Sequence, residues 1–99
     1  MHFITVKIRL LGVLKYLVSK NRDEIILKVR KCSTIRDVIE QIYFESPELY
    51  RRIWNRDKHD LMPDIVIFLN DVDIRLLKYL DTEICEDSTI VILAYIHGG

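Results

Sequence analysis

Glycine is scarce in this 99-residue chain, with only three residues, and two of them are the last two positions, Gly98 and Gly99. Proline is scarcer still, at two residues, so no flexible or Pro-rich linker divides the chain and a single domain is expected. Neither sign of charge is in excess: 15 Lys and Arg balance 15 Asp and Glu. That balance removes the electrostatic footprint of a nucleic-acid binder, so no direct nucleic-acid partner is expected. No apolar run approaches the roughly 18 residues of a membrane span, and Met1-His2-Phe3-Ile4-Thr5 lacks the basic-then-apolar order of a signal peptide. A cytoplasmic protein with no membrane partner is therefore expected.

Cysteine is limited to Cys32 and Cys85, which are far apart and fit no metal-ligand spacing. In a reducing compartment they read as buried small hydrophobes. His2, His59 and His97 are too scattered for a metal site. No Ser-His-Asp or Cys-His arrangement and no paired carboxylates stand out. The chain is thus expected to be a substrate of other enzymes rather than an enzyme, and to hold no cofactor of its own.

What is present is periodicity. Ile4, Val6, Ile8 and Leu10 alternate with Thr5, Lys7 and Arg9, the period-two pattern of a half-buried strand. The polar run Ser19-Lys20-Asn21-Arg22-Asp23 reads as a hairpin loop, followed by a second strand with Ile25, Leu27 and Val29 on one face. Ile35, Val38, Ile39 and Ile42 then fall at helical spacing, with Thr34 as N-cap and Asp37 three residues on, a variant of the capping box. Ser46-Pro47-Glu48 opens a second, short helix carrying Leu49, Tyr50 and Ile53. Residues Asn55 to Asp64 read as a mostly polar connection. The run Ile65-Val66-Ile67-Phe68-Leu69 is a strand closed by the turn Asn70-Asp71. Val72 to Leu80 reads as a short strand leading into helical turns, and Thr89 to Ile96 as the last strand. The basic cluster Arg51, Arg52, Arg56, Lys58 and His59 reads as solvated charge.

The order strand, strand, helix, strand, short segment, strand packs most economically with the first and last strands as parallel neighbours at the centre of a mixed sheet. This is the β-grasp arrangement, an α+β fold with a four- to five-stranded sheet and one main helix across one face. Residues 1–95 form the domain, and 96–99 a mobile Gly-Gly tail that extends roughly 13–14 Å. The last two strands are apolar on both faces. Ile67, Val91 and Leu93 are therefore expected on the face opposite the helix, as a partner-docking patch.

Glycine fills two given positions by chance in roughly 0.5% of chains. A terminal glycine carboxylate is inert until activated. Without a Cβ, glycine enters a slot too narrow for other residues. The ending reads either as a frayed terminus or as a reactive one.

Ile67-Phe68-Leu69-Asn70-Asp71-Val72-Asp73, Leu76-Leu77, Leu80-Asp81, Glu86-Asp87-Ser88 and the closing His97-Gly98-Gly99 resemble the C-terminal part of the ubiquitin-related modifier family, ubiquitin-like β-grasp sulfur carriers that also modify proteins. The resemblance implies that a ubiquitin-activating-like enzyme adenylates Gly99 with ATP and that a sulfur donor protein's persulfide converts it to a thiocarboxylate. That sulfur would feed a tRNA thiolase for 2-thiolation of the wobble uridine. The same activated terminus would alternatively join lysines of target proteins. Gly98, His97, Ile96 and Tyr95 would form the track into the partner's active site, with the carrier a monomer. The molybdopterin synthase small subunit and the thiamine-pathway sulfur carrier share the fold and the Gly-Gly end. They usually differ in the turn after the third strand and lack a histidine before the glycines. A non-covalent β-grasp interaction module is the alternative of another class. Tyr95-Ile96-His97 replaces ubiquitin's arginine-containing tail, so ubiquitin's activating enzyme and chain-forming lysines are not carried over.

Overall fold

The computed structural model describes residues 2–18 and 23–95. Strand β1 (Phe3–Leu10) buries Ile4, Val6, Ile8 and Leu10, as its alternation requires. A 3₁₀ segment, Gly12–Leu17, follows. Gly12 starts it at φ +63°, a backbone angle that costs glycine little. The polar run expected as the hairpin loop falls mostly outside the described residues. Strand β2 (Glu24–Arg30) pairs antiparallel with β1 and buries Ile25, Leu27 and Val29.

A two-residue strand, β3 (Ser33–Thr34), leads into helix α1 (Ile35–Glu45). The capping box is complete: the Asp37 N–H donates to Thr34 Oγ1 at 3.2 Å and the Thr34 N–H donates to Asp37 Oδ2 at 3.0 Å. Ile35, Val38, Ile39 and Ile42 are buried. Helix α2 (Pro47–Ile53) begins as expected, with Ser46 Oγ accepting from the Leu49 N–H. The connection after it is more ordered than its polarity predicts. Trp54–Asn55 (β4) and Asp60–Leu61 (β5) form a small hairpin, with Trp54 and Leu61 buried.

Strand β6 (Ile65–Leu69) turns through Asn70-Asp71 into β7 (Val72–Asp73). The 3₁₀ turns Ile74–Leu76 and Tyr79–Asp81 follow. Then come β8 (Glu83–Ile84), which pairs with β3, and β9 (Ser88–Ala94). The main sheet has five strands in the order β2-β1-β9-β6-β7. The first and last strands are its parallel central pair, with Val6 opposite Ser88 and Leu10 opposite Ile92. This is the β-grasp topology. The inner sheet face packs its Ile, Leu and Val side chains against the helices in one continuous core. Each fully buried aliphatic side chain there contributes roughly 1.5–3 kcal/mol.

Cys32 and Cys85 are not buried hydrophobes: both are exposed, and a disulfide joins them. The β3–β8 pairing explains this. The Cys32 N–H donates to the Ile84 carbonyl at 2.8 Å, which sets the turn after β2 against the segment that enters β9.

Candidate functional site

Strand β9 positions the site. Its end is held on both sides: the Leu11 N–H donates to the Ile92 carbonyl at 3.1 Å, and the Tyr95 N–H donates to the Asp64 carbonyl at 3.0 Å. The Tyr95 hydroxyl donates to the Pro63 carbonyl at 3.3 Å. Tyr95 is thereby the last anchored residue of the described chain, and 40% of it is exposed. Its side chain also forms part of a pocket of about 170 Å³ with Pro63, Val66, Arg75 and Tyr79. Of the expected tail track, Ile96, His97, Gly98 and Gly99 lie outside the described residues.

The expected docking patch needs one correction. Ile67 is buried to 1% exposure and belongs to the inner face. Register gives the reason. Residues directly opposite in an antiparallel pair share a face, and Ile67 lies opposite Ile92, whereas Phe68 lies opposite Val91 and Val66 opposite Leu93. Val91 and Leu93 are half-buried on the outer face, with Phe68 and Val66 beside them. Reading outward, Arg9 neighbours Val91, and its guanidinium lies 3.7 Å from Glu24. The outer face is therefore an apolar strip of Val66, Phe68, Val91 and Leu93, edged by charge. Phe68 and Val66 escaped the sequence reading because the run Ile65 to Leu69 is apolar throughout and does not reveal its phase.

The turn beside this strip is built from side chains. Asn70 and Asp71 sit at φ +47° and +71°, the left-handed pair that a two-residue hairpin turn requires and that Asn and Asp tolerate. Asn70 Oδ1 accepts from the Thr89 N–H at 2.9 Å, and Asn70 Nδ2 donates to Ser88 Oγ at 3.2 Å. This residue clamps the hairpin onto the start of β9. Asp73 Oδ1 accepts from the Arg75 N–H at 2.9 Å, and the Arg75 guanidinium reaches Asp73 Oδ2 at 2.6 Å. These bonds hold the Asp73 carboxyl below its ordinary range. Two of the acidic and amide residues of the run thus have structural work: they shape the turn and cap the next one. Further on, burial and the bond from its hydroxyl to Asp60 Oδ1, 2.7 Å long, push the Tyr79 phenol up to about 12.

Among the described residues, no group of three or more His, Cys, Asp or Glu is placed to hold a metal ion. The basic cluster is dispersed: Arg52 forms a two-pronged ion pair with Asp64, while Arg51, Arg56, Lys58 and His59 are exposed. The site holds a strand end, a turn and an outer strip in fixed relation to whatever follows Tyr95.

A family model described as Urm1 (Ubiquitin related modifier) matches residues 5–99. Among curated proteins, no sequence matches the chain. Among solved structures, the solution structure of small archaeal modifier protein 1 (SAMP1) from Methanosarcina acetivorans is 26% identical. It covers 100% of each chain at a TM-score of 0.78. Urm1 from Trypanosoma brucei, at 14% identity, covers 100% of this chain and 99% of its own, at a TM-score of 0.77. A putative molybdopterin converting factor, subunit 1, from Pyrococcus furiosus is 16% identical over 94% of this chain and 99% of its own, at a TM-score of 0.71. At such identities the last two likenesses speak for the fold alone.

Proposed function

The chain belongs to the Urm1, ubiquitin-related modifier, family of ubiquitin-like sulfur carriers and modifiers, and on that premise we propose that Gly99 is its reacting group. An adenylating enzyme of the ubiquitin-activating type binds the body, residues 1–95, and takes the tail, 96–99, into its active site. The Gly99 carboxylate displaces pyrophosphate from ATP. The terminal sulfur of a donor protein's persulfide then displaces AMP to form a carbon–sulfur bond, and a second thiol cleaves the persulfide's own sulfur–sulfur bond, leaving a thiocarboxylate on Gly99 and a disulfide on the donor side. A thiolase uses that sulfur for the wobble uridine of tRNA in the cytoplasm. Lysine amines of target proteins are the alternative acceptors of the activated terminus.

The observation that carries this reading is that the family match runs through the Gly98-Gly99 end, in a fold whose central strand delivers the chain to Tyr95. Gly98, His97, Ile96 and Tyr95 are the entry track, and Val91 and Leu93, with Phe68 and Val66, are the docking strip. Phe68 and Val66 take the place assigned to Ile67. The carrier works as a monomer and draws ATP from its activating enzyme.

Intact mass spectrometry after incubation with the activating enzyme, ATP and a persulfide donor tests the proposal. One carboxyl oxygen is replaced by sulfur in the full chain and not in a chain lacking Gly99. An unchanged mass in both overturns it. Loss of thiolated tRNA from a deletion strain identifies tRNA as the acceptor, whereas loss of molybdenum cofactor identifies a pterin precursor.

A further inference from the structure

Strand β2 ends the sheet order, so one of its edges faces outward. Which groups that edge presents follows from the ladder. The Leu10 N–H donates to the Asp23 carbonyl and the Lys31 N–H to the His2 carbonyl. Hydrogen-bonded pairs alternate along an antiparallel ladder, so Ile25, Leu27 and Val29 direct their peptide groups to β1. Glu24, Ile26, Lys28 and Arg30 direct theirs outward. The Arg30 carbonyl accepts from Ser33 Oγ at 2.7 Å, as that orientation demands. Ile26 and Lys28 keep main-chain donors and acceptors without a protein partner among the described residues.

Monomeric proteins blunt such edges with proline, short strands, a cover or charge. This strand is seven residues long, contains no proline and has no covering element among the described residues, so the charges of Glu24, Lys28 and Arg30 are the device left to it. Beside it runs a groove of about 480 Å³ between the strand and α1. Its strand wall carries Lys28, Val29 and Arg30, and its helix wall carries Glu40, Gln41 and Phe44. Phe44 is 82% exposed and Ile26 60% exposed, an unusual cost for two large apolar side chains flanking one edge.

We propose that this edge and groove bind an extended segment of a partner protein by strand addition, apolar at every second position and acidic at those between. An added strand directs alternate side chains to opposite faces. One set enters the groove against Phe44, where apolar groups are desolvated. The other set lies over the outer face beside Lys28 and Arg30, where carboxylates are neutralised. A second copy of this chain fits less well: antiparallel pairing of two β2 strands sets Glu24 of one copy opposite Arg30 of the other, which attracts, but leaves Lys28 opposite Ile26 with no carboxylate to meet it. Strand β1 separates β2 from β9, so the occupant leaves Tyr95 uncovered. The inference is independent of the chemistry proposed for Gly99.

The test titrates the full chain with an end-capped peptide of alternating valine and aspartate, read by amide chemical shifts and hydrogen exchange. The Ile26 and Lys28 amides shift and slow, and Phe44 shifts with them. Lys28→Glu exchanges attraction for repulsion and weakens binding about tenfold, with the spectrum of the free protein otherwise preserved. Ile26→Pro removes one outward N–H and abolishes the exchange protection. If that variant fails to fold, Lys28→Glu alone decides. Absence of shifts at the edge, or binding unchanged in Lys28→Glu, overturns the proposal. So does protection of the edge without peptide together with a doubled mass in light scattering, which assigns the edge to a second copy.

Discussion

At the residue scale, Tyr79 shows how a single part-buried contact becomes a pH dependence. Its phenol donates to Asp60 Oδ1 across 2.7 Å, and burial and that bond raise it from 10.0 to about 12. The folded protein therefore holds this proton more tightly than the unfolded chain does. The resulting stabilisation is complete below the unfolded value of 10.0 and is lost as pH rises through the folded value of about 12. The urea midpoint should fall across that window, and Tyr79→Phe should fall less steeply. Parallel declines for the two proteins would show that the Asp60 contact does not govern the proton. Asn70 makes the complementary point: its left-handed backbone and its bonds to Ser88 and Thr89 explain an Asn-Asp turn without assigning it any chemistry. The turn was legible in sequence because few residues accept that geometry. The two partners 18 and 19 residues on were not, since side-chain bonds across a sheet leave no local pattern.

At the scale of elements, the signals read correctly are local ones. The caps Thr34 and Ser46, the proline at the start of α2 and the alternation of β1 each involve neighbours within one turn or one pleat. The β4–β5 hairpin was missed because it is short and polar. The disulfide was missed because Cys32 and Cys85 are 53 positions apart and meet only through the β3–β8 pairing. That link closes a long loop in the unfolded chain. Closure of a loop of this size stabilises by about 4 kcal/mol on entropy alone, a ceiling that unfolded-state structure lowers. Reduction should therefore lower the free energy of unfolding by about 2–4 kcal/mol, measured by urea denaturation with and without a thiol reductant. The double variant Cys32→Ser, Cys85→Ser should match the reduced protein and ignore the reductant. A wild-type curve insensitive to reductant would mean that the closed loop contributes nothing.

At the scale of the whole molecule, the parallel pairing of β1 with β9 places the last strand in the middle of the sheet, where it is the hardest to fray. The same placement gives β9 two faces with different surroundings, and β6 beside it repeats the division. Ile67 and Phe68 are chain neighbours separated by the sheet: Ile67 is 1% exposed under the helices, while Phe68 lies half-buried beside Val91 on the outer strip. Their substitutions should consequently fail in different ways. Ile67→Ala leaves a cavity in the core and should cost about 2–5 kcal/mol of stability. What remains folded still presents an intact outer strip, so the activation rate per folded molecule should be preserved. Phe68→Ala should cost less stability than Ile67→Ala, because part of its side chain is already in water. It removes the largest apolar group of the strip, so kcat/KM for ATP-dependent activation should fall about tenfold or more, as at a binding hot spot. Thermal denaturation and ATP–pyrophosphate exchange with the activating enzyme measure the two effects on the same samples. Equal activation by wild type and Phe68→Ala would place the docking surface elsewhere, while leaving the chemistry proposed for Gly99 intact.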